Sequence, residues 1–388
     1  MNERIYLDYA ATTPVDARVL NSMMPYFSET FGNPSSVHYF GQRAEAALGS
    51  AREKIAEALN SRPEEIVFTS GGSESDNLAL RGACLASRSR KGEAWILTSR
   101  AEHHAVTKTV EQLAGQSGYR LAWLDVDQHG MIHPETVEAA LSDGTILVSV
   151  MYANNEIGTI NPVKEIAQVC HRHGVLLHTD AVQAAAYLPV DVEELGIDLL
   201  SIGAHKFYGP KGVGALFVRT GTPLVPVQTG GGQESGLRSG TENVAYIAGM
   251  AEALRLTEAQ REQHAAHVRP LRDRIIGTIL EEIPSSRLTG HPSQRLPNHA
   301  SFAFEGVDGN LLLTLLDADG FACSSGSACK TGNPEPSEVM AAIGLPREWG
   351  LGSLRVTLGV GTTAEQVEKF LAALPGLVAK AKKLSSQR

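Results

Sequence analysis

The most informative stretch of this 388-residue chain is Ser201-Ile-Gly-Ala-His-Lys-Phe-Tyr-Gly-Pro-Lys-Gly212. It follows the apolar run Asp198-Leu-Leu, so Lys206 is expected at the end of a buried strand, ahead of a glycine-rich turn. An unpaired buried ammonium is costly, and such a lysine is usually deprotonated or covalently modified. The neutral amine is the form that attacks a carbonyl and forms a Schiff base. Taken alone, the segment fits a surface lysine at a strand end equally well.

An acid ends a second apolar strand, Val175-Leu-Leu-His-Thr-Asp-Ala-Val-Gln183. Open α/β sheets bind ligands in the crevice at the carboxyl ends of their strands, so Asp180 and Lys206 are expected to face one ligand. Pyridoxal phosphate needs a lysine for its aldehyde and a carboxylate to keep its ring nitrogen protonated. The two residues together therefore indicate a pyridoxal phosphate site.

A candidate phosphate site lies in Glu65-Ile-Val-Phe-Thr-Ser-Gly-Gly-Ser-Glu-Ser-Asp-Asn77. A short strand leads into a glycine pair, and Ser73 is expected to cap the helix that follows. Free N–H groups at a helix start can bind a phosphate where glycines allow it to approach closely. The alternative is an ordinary turn between a strand and a helix. The pattern is neither the GxGxxG of dinucleotide-binding folds nor a Walker loop.

Strand-like runs alternate with amphipathic helical runs between about residues 43 and 220. The expected strands are Ile66–Thr69, Trp95–Thr98, Leu121–Val126, Ile146–Met151, Leu176–Thr179, Leu199–Ile202 and Ala215–Val218. Helices such as Pro134–Leu141 and Val163–His173 lie between several of them. This alternation predicts an α/β fold with a mostly parallel seven-stranded sheet and helices on both faces.

A smaller α+β C-terminal domain is expected beyond a long connecting helix from about Asn243 to Glu282. Its expected elements are Ala300–Phe304, a helix near Gly309–Leu316, Leu354–Leu358 and a last helix with Thr362-Thr-Ala-Glu365 as its capping box. We expect the large domain to span residues 15–258, and the small domain to combine residues 1–14 and 259–388.

The composition argues against several classes of protein. Lys+Arg 34 against Asp+Glu 43 gives a net charge of −9, unlike a basic nucleic-acid-binding domain. The N-terminus has no apolar signal-peptide core, and no stretch is long enough to span a bilayer. The cysteines form neither a disulfide framework nor a zinc site; they are Cys84, Cys170, Cys323 and Cys329. We therefore expect a cytoplasmic protein that binds neither nucleic acid directly nor membrane.

A candidate nucleophile, Cys329, lies in Phe321-Ala-Cys-Ser-Ser-Gly-Ser-Ala-Cys-Lys-Thr-Gly-Asn-Pro334. The small and turn-forming residues of this stretch predict a surface loop. The neighbouring Lys330 would favour the thiolate, which is the nucleophilic form of cysteine. The alternative is an incidental cysteine, since free cysteines are usually buried and inert. Cys323 is expected to end a buried strand.

Together these segments resemble the cysteine desulfurases, the NifS/IscS branch of the fold-type-I pyridoxal-phosphate enzymes within the class V aminotransferases. The similarity extends over nearly the whole chain. The matching stretches are Tyr6-Leu-Asp-Tyr-Ala-Ala-Thr-Thr-Pro14, Thr69-Ser-Gly-Gly-Ser-Glu-Ser-Asp-Asn77, Glu102-His-His-Ala-Val106, Asn154-Asn-Glu-Ile-Gly158, His178-Thr-Asp-Ala-Val-Gln183, His205-Lys206, Arg238-Ser-Gly-Thr241, Ser324-Ser-Gly-Ser-Ala-Cys329 and Ser353-Leu-Arg-Val-Thr-Leu-Gly359. Their order and spacing are specific to this group of enzymes.

The resemblance implies three catalytic residues. Lys206 would bind pyridoxal 5'-phosphate covalently and move the proton at the substrate Cα. His103 would stack on the ring and assist proton transfer, for which a pKa near neutrality suits it. Cys329, on a loop of the small domain, would attack the substrate sulfur and keep it as a persulfide. Without the resemblance, His103-His104 could be a metal-ligand pair or an exposed helix start; adjacent residues do not share a helix face, and we expect no metal site.

The other implied site residues would hold the cofactor and the substrate. Asp180 would pair with the pyridine nitrogen, and Arg355 would clamp the substrate carboxylate, a task that suits guanidinium geometry. The remaining implied contacts are Gln183 and Asn155 to the ring oxygen or the substrate carboxylate, and Gly72, Ser73, Gly203 and His205 to the phosphate. Thr241 would reach the phosphate from the partner subunit of a homodimer with shared active sites.

The resemblance therefore implies a cysteine desulfurase that converts L-cysteine to L-alanine and passes sulfur from Cys329 to an acceptor protein, such as an iron–sulfur scaffold or a thio-modification enzyme. One departure is Gly203, which stands where many relatives have a serine that donates to the phosphate. The alternatives are a selenocysteine lyase or another lyase or aminotransferase of this fold, and a sulfur carrier or scaffold without catalytic activity.

Overall fold

The computed structural model describes residues 4–87, 94–325 and 335–387. The strands in this part of the chain are β1 (Ile5–Tyr6), β2 (Ile66–Thr69), β3 (Trp95–Ser99), β4 (Arg120–Leu124), β5 (Thr145–Ser149), β6 (Leu176–Asp180), β7 (Leu199–Gly203), β8 (Gly214–Val218), β9 (Ser286–Leu288), β10 (His299–Phe304), β11 (Phe321–Ala322) and β12 (Ser353–Thr357). Seven of them, β2 to β8, form one sheet with the order β2-β8-β7-β6-β5-β3-β4.

This large sheet is mostly parallel, as the sequence predicts. Its only antiparallel pairs are those that β8 makes with β2 and β7, among the residues that the structure describes. Strands β2, β5 and β7 are buried at every position, which is typical of a sheet covered by helices on both faces. The predicted α/β fold is therefore confirmed.

The helices pack around the sheets and connect their strands. They are α1 (Ala17–Met23), α2 (Pro25–Ser28), α3 (Tyr39–Leu59), α4 (Gly72–Ala86), α5 (His104–Ser117), α6 (Pro134–Ala140), α7 (Val163–Arg172), α8 (Val192–Leu195), α9 (Val244–Glu282), α10 (Gly309–Ala318), α11 (Glu338–Ala342), α12 (Arg347–Gly350) and α13 (Ala364–Ser385). The long helix expected after Asn243 is α9, and the side chain of Asn243 caps it by accepting from Tyr246 N. The expected domain boundary after residue 258 lies within this continuous helix.

Two small sheets lie outside the large one. An antiparallel sheet has the order β12-β10-β9, and β1 pairs in parallel with β11. The chain start therefore lies against the C-terminal part, because Asp8 also forms a bridge with Thr357 on β12. The two-residue strand β1 and the three-residue strand β9 were not predicted.

Two predicted helix starts were wrong in detail. The N-cap of α4 is Gly71, not Ser73, because the helix already includes Gly72 and Ser73 in its first turn. The N-cap of α13 is Thr363, whose side chain accepts from Gln366 N while the Gln366 side chain accepts from Thr363 N. The capping box is thus Thr363–Gln366, one residue later than predicted from Thr362–Glu365.

The carboxyl ends of β2, β3, β5, β6 and β7 meet at one edge of the large sheet. A parallel arrangement forces this convergence, so residues distant in sequence come together there. Asp180 ends β6, and Lys206 closes the single 3-10 turn that follows the neighbouring strand β7. No helix within the described ranges is long and apolar enough to cross a membrane.

Candidate active site

A cavity of about 240 Å³ opens at this edge of the sheet. Nine of the predicted site residues line it: Gly72, Ser73, His103, Asn155, Asp180, Gln183, His205, Lys206 and Arg355. Five lining residues had no predicted role: Ala10, Ala11, Asp76, Met151 and Val182. The cavity lining is drawn from seven separate segments of the chain and includes a lysine, two carboxyl groups and an arginine.

Three predicted site residues are not among the residues that line the cavity. Gly203 ends β7 just behind it, where an added Cβ would lie 3.3 Å from the Gly72 amide nitrogen. Thr241 is exposed and absent from the cavity wall of the single chain. Cys329 lies outside the described residues, and so does Lys330.

Lys206 is held by the N-terminal segment of the chain. Its Nζ donates to the carbonyl oxygens of Ala10 at 2.6 Å and Ala11 at 2.8 Å. Burial, and then the charge of Arg355, lower the pKa of this amine to about 8, although Asp180 and Asp8 act in the opposite direction. A neutral amine is therefore accessible to Lys206 within about one pH unit of neutrality.

Asp180 and His103 lie close together in the cavity lining. Atoms of Asp76, His103 and Asp180 that could bind a ligand all lie within 4.8 Å of one another. Asp180 Oδ1 accepts from the Val182 amide at 2.9 Å, which orients the carboxyl group. Burial raises the pKa of Asp180, while the charge of His103, the Val182 amide and Lys206 lower it.

His103 keeps one ring nitrogen for the cavity. Its Nδ1 accepts from the Ala105 amide at 3.1 Å and caps helix α5. In the neutral ring the hydrogen then lies on Nε2. Desolvation by the surrounding protein, followed by the charge of Lys206, lowers the pKa of His103, while Asp180 raises it. The lowered pKa favours the neutral imidazole, which can accept a proton.

A buried polar network lies beneath Asp180, and sequence analysis missed it. Asp76 Oδ1 has no hydrogen-bond partner among the described residues and lies 3.5 Å from His178 Nε2. Burial, and then the charge of Asp180, raise the pKa of Asp76 well above its ordinary range. The His178 ring forms hydrogen bonds with Ser149 Oγ at 2.8 Å and with Ser201 Oγ at 3.0 Å. The acid in the quoted motif Thr69–Asn77 was the available sequence signal for Asp76.

The start of α4 is shaped to receive an anion. An added Cβ on Gly72 would lie 2.5 Å from Val182 Cγ2, so only glycine fits between the helix start and this side chain. Ser73 lies beside it, and the His205 ring lines the same cavity and bonds Thr12 Oγ1 at 3.1 Å. Exposed amides at a helix N-terminus and nearby hydroxyl and imidazole groups are suitable donors for a phosphate.

Arg355 projects from β12 into the opposite side of the cavity. Its Nη1 donates to the Asn155 carbonyl at 2.9 Å, and its Nη2 lies 2.8 Å from Asp8 Oδ1. Its Nε is buried and has no hydrogen-bond partner among the described residues. Asp8 Oδ2 also accepts from Ser324 Oγ at 2.9 Å. Among the described residues, Arg355 Nε is therefore a donor without a partner, as Asp76 Oδ1 is an acceptor without one.

The described cysteines are unsuited to nucleophilic roles. Burial raises the pKa of Cys84 and of Cys170 to about 12, and it raises the pKa of Cys323 as well. Cys323 follows directly after β11, as expected for a strand end, and is partly exposed. A thiol with a raised pKa is a poor nucleophile at neutral pH.

With this geometry in place, comparison with known proteins identifies the family. The model of the family "Aminotransferase class-V" matches residues 5–370. The chain belongs to this family. The resemblance found in the sequence is therefore confirmed, as is the fold-type-I architecture of a class V aminotransferase.

The similarity to class V proteins extends over whole chains. A protein named cysteine desulfurase IscS, from Dictyoglomus turgidum, is 46% identical over 385 residues, which is 99% of this chain and 97% of that protein. A solved NifS-like protein has a TM-score of 0.90 at 35% identity and covers 97% of this chain and 100% of its own. A structure of SspA in complex with cysteine has a TM-score of 0.79 at 36% identity, over 91% of this chain and 98% of that chain.

The residues of this class V cavity fit pyridoxal 5'-phosphate. A carboxyl group, Asp180, lies where a pyridine nitrogen could pair with it, and Lys206 supplies the amine that an aldehyde requires. An added Cβ at position 72 would collide with Val182 Cγ2, so this helix start carries no side chain there, which suits the close approach of a phosphate. The donor set therefore matches the ring, the aldehyde and the phosphate of this cofactor.

Proposed function

We propose that this chain is a pyridoxal 5'-phosphate-dependent cysteine desulfurase that converts L-cysteine to L-alanine and keeps the sulfur as a persulfide on Cys329. One observation carries the proposal: Lys206, Asp180 and Arg355 line a single cavity in a chain 46% identical to a named cysteine desulfurase. The bound cysteine named for SspA supports the same substrate. The reaction class is a sulfur transfer that passes through a covalent enzyme intermediate.

The cofactor is bound by residues at three strand ends. Asp180 would pair with the ring nitrogen, and the first turn of α4, through Gly72 and Ser73, would bind the phosphate together with His205. Gln183, whose Nε2 donates to the Ala10 carbonyl at 2.7 Å, would contact the ring oxygen. When bound, pyridoxal phosphate acts as an electron sink for carbanions formed at the substrate Cα.

The substrate is oriented by its carboxylate. Arg355, whose side chain lines the cavity, would bind that carboxylate through its guanidinium, and Asn155, whose carbonyl accepts from Arg355 Nη1, lies next to it. A guanidinium can hold a carboxylate by two parallel hydrogen bonds, which fixes its orientation as well as its position. The substrate Cα is thereby presented to Lys206 rather than to solvent.

Two residues of the cavity move protons. Lys206, with a pKa of about 8, would remove and return the proton at the substrate Cα. His103 Nε2 faces the same space and exchanges a proton with the substrate amine or thiol. Desolvation lowers the pKa of both groups, which favours the neutral, proton-accepting form of each.

Cys329 is the acceptor of sulfur within the enzyme. Its thiolate attacks the sulfur of the substrate, so a new sulfur–sulfur bond forms as the carbon–sulfur bond breaks and its electron pair stays with the carbon fragment. Protonation of that fragment yields alanine. The persulfide then passes its outer sulfur to an acceptor protein. Suitable acceptors are an iron–sulfur scaffold and a thio-modification enzyme.

A second subunit completes the phosphate site. Thr241 is exposed on the single chain, so it is available to contact the phosphate of a partner subunit in a homodimer. A cytoplasmic location, where thiols stay reduced, would preserve the reactive Cys329. The large domain of residues 15–258 holds the cofactor, and the small domain of residues 1–14 and 259–388 brings Arg355 and Cys329.

The test is a comparison of three proteins for cofactor attachment and persulfide formation. Borohydride reduction and peptide mapping should place the pyridoxyl group on Lys206, and Lys206→Ala should carry none. Cys329→Ala should keep its cofactor but form no persulfide and release no alanine from cysteine. Normal alanine release by Cys329→Ala with cysteine as the sole sulfur acceptor would contradict the proposal, and alanine release from selenocysteine alone would favour a selenocysteine lyase.

A further inference from the structure

The N-terminal segment Ala10–Asp16 is hydrogen-bonded to the turn that carries Lys206. The carbonyls of Ala10 and Ala11 accept from Lys206 Nζ, as described above. Further along, the Thr13 amide donates to the His205 carbonyl at 2.9 Å, and the Asp16 amide donates to the Tyr208 carbonyl at 3.0 Å. Both the side chain of Lys206 and the backbone on either side of it are therefore held by one segment.

Thr13 makes the central contacts in this arrangement. Its hydroxyl donates to the His205 carbonyl at 3.0 Å and accepts from the Tyr208 amide at 2.8 Å. It thus spans Lys206, because one partner precedes the lysine and the other follows it by two residues. Thr13 is only 3% exposed, so water cannot readily replace these bonds.

The backbone that Thr13 holds is strained. Tyr208 has φ of 64°, in the left-handed region that residues with a Cβ rarely adopt. Such a conformation persists only where surrounding contacts impose it, and it is typical of functional sites. Two hydrogen bonds impose it here: the Tyr208 amide donates to Thr13 Oγ1, and the Asp16 amide donates to the Tyr208 carbonyl.

We propose that Thr13 is a positioning residue that fixes the backbone turn of Lys206, so that the amine of this lysine points into the cavity. The inference rests on the proposed covalent role of Lys206. Without the hydroxyl, the Tyr208 amide would lose its acceptor, and the strained turn could relax to an ordinary backbone conformation. Lys206 would then reach the cofactor aldehyde in a smaller fraction of molecules.

The first experiment measures how fast cofactor-free protein attaches added pyridoxal phosphate to Lys206, by borohydride trapping and peptide mapping over time. Thr13→Val should slow attachment about tenfold, since a buried amide is left unpaired. Thr13→Ser keeps the hydroxyl and should restore the rate to within about twofold of the parent. Thr278→Val is the matched control, because Thr278 is a buried threonine in α9 whose hydroxyl has no hydrogen-bond partner among the described residues.

A second measurement needs no cofactor. The pH dependence of Lys206 acetylation in the cofactor-free protein reports the ionisation of the amine, and Thr13→Val should shift it to higher pH as the amine gains access to water. A merely structural role for Thr13 would lower thermal stability without moving this profile.

A double-mutant cycle tests the link to backbone strain. Glycine adopts positive φ without strain, so in a Tyr208→Gly background the Thr13→Val change should slow attachment clearly less than in the parent. Equal effects in both backgrounds, or attachment by Thr13→Val at the parent rate, would overturn the proposal. Failure of the parent protein to attach the cofactor at Lys206 would instead overturn the proposed function, so the two failures are distinguishable.

Discussion

Asp8 Oδ1 and Arg355 Nη2 lie 2.8 Å apart, although the two residues are separated by most of the chain. Their side chains are 15% and 9% exposed, so the ion pair lies largely out of water. The guanidinium proposed to bind the substrate is therefore already charge-balanced before any ligand arrives. Asp8 in turn is fixed by Ser324, at the point where the chain leaves β11.

Removing one partner of this pair should be costly. We expect Asp8→Ala to lower the free energy of unfolding by about 3 kcal/mol, because it leaves the largely buried guanidinium of Arg355 without a counter-charge. Urea denaturation monitored by circular dichroism would measure the change. The control is Arg4→Ala, which breaks an ion pair with Asp317 whose side chains are 69% and 65% exposed. That change should stay within about 0.5 kcal/mol, and equal losses in the two variants would contradict the argument.

The rate of cofactor attachment to Lys206 should depend on pH. With a pKa of about 8, the neutral fraction of this amine rises about tenfold per pH unit below that value and levels off above it. The charge of Arg355 lowers this pKa and that of Asp180 raises it. Arg355→Gln should therefore move the rate profile to higher pH, and Asp180→Asn should move it to lower pH. An unshifted profile in both variants would show that desolvation alone sets the ionisation, and shifts in the same direction would contradict the assigned charge effects.

The sequence predicted the part of the site that follows from strand topology. Asp180 and Lys206 follow neighbouring parallel strands, and parallel strand ends must meet at one edge of the sheet. The glycine pair Gly71-Gly72 was recognisable because it follows β2, another strand that ends at this edge. The resemblance to a family added His103, Asn155 and Arg355, whose places in the cavity no local pattern indicated.

The sequence could not reveal contacts that depend on backbone atoms or distant pairing. The carbonyls of Ala10 and Ala11 that hold Lys206 belong to residues with no functional side chain. The partner of Arg355 is Asp8, and only the tertiary fold brings them together. Helix starts were misplaced by one or two residues, since several neighbouring polar or glycine residues could each serve as the cap, as with Gly71 and Ser73.

A side chain at position 72, in the first turn of α4, should weaken cofactor binding. The added methyl group of Gly72→Ala would meet Val182 Cγ2 at 2.5 Å, and a β-branched side chain has little freedom to move aside. We expect the dissociation constant of pyridoxal phosphate to rise about 10- to 100-fold. A rise of this size corresponds to the loss of one or more charge-assisted hydrogen bonds.

The matched control for this change is Gly277→Ala. Gly277 lies within α9, and an added Cβ there would meet nothing within 4 Å. Alanine should stabilise the helix by about 1 kcal/mol and leave cofactor affinity unchanged. Both dissociation constants can be measured by titrating cofactor-free protein with pyridoxal phosphate and following its absorbance. An unchanged constant in Gly72→Ala would place the phosphate elsewhere.

Glu156 should make the stability of the fold depend on pH. Burial raises the pKa of its carboxyl from 4.5 to about 7, although Ser337 and Arg355 oppose the shift. Between pH 4.5 and 7 the folded state therefore binds more protons than the unfolded state, so this contribution to stability is complete below pH 4.5 and is lost as pH rises through 7. The loss amounts to up to about 3 kcal/mol. Glu156→Gln removes the titrating group, and its free energy of unfolding should fall less than that of the parent protein between pH 5 and pH 8; parallel pH profiles from urea denaturation would show that Glu156 ionises normally in the folded state.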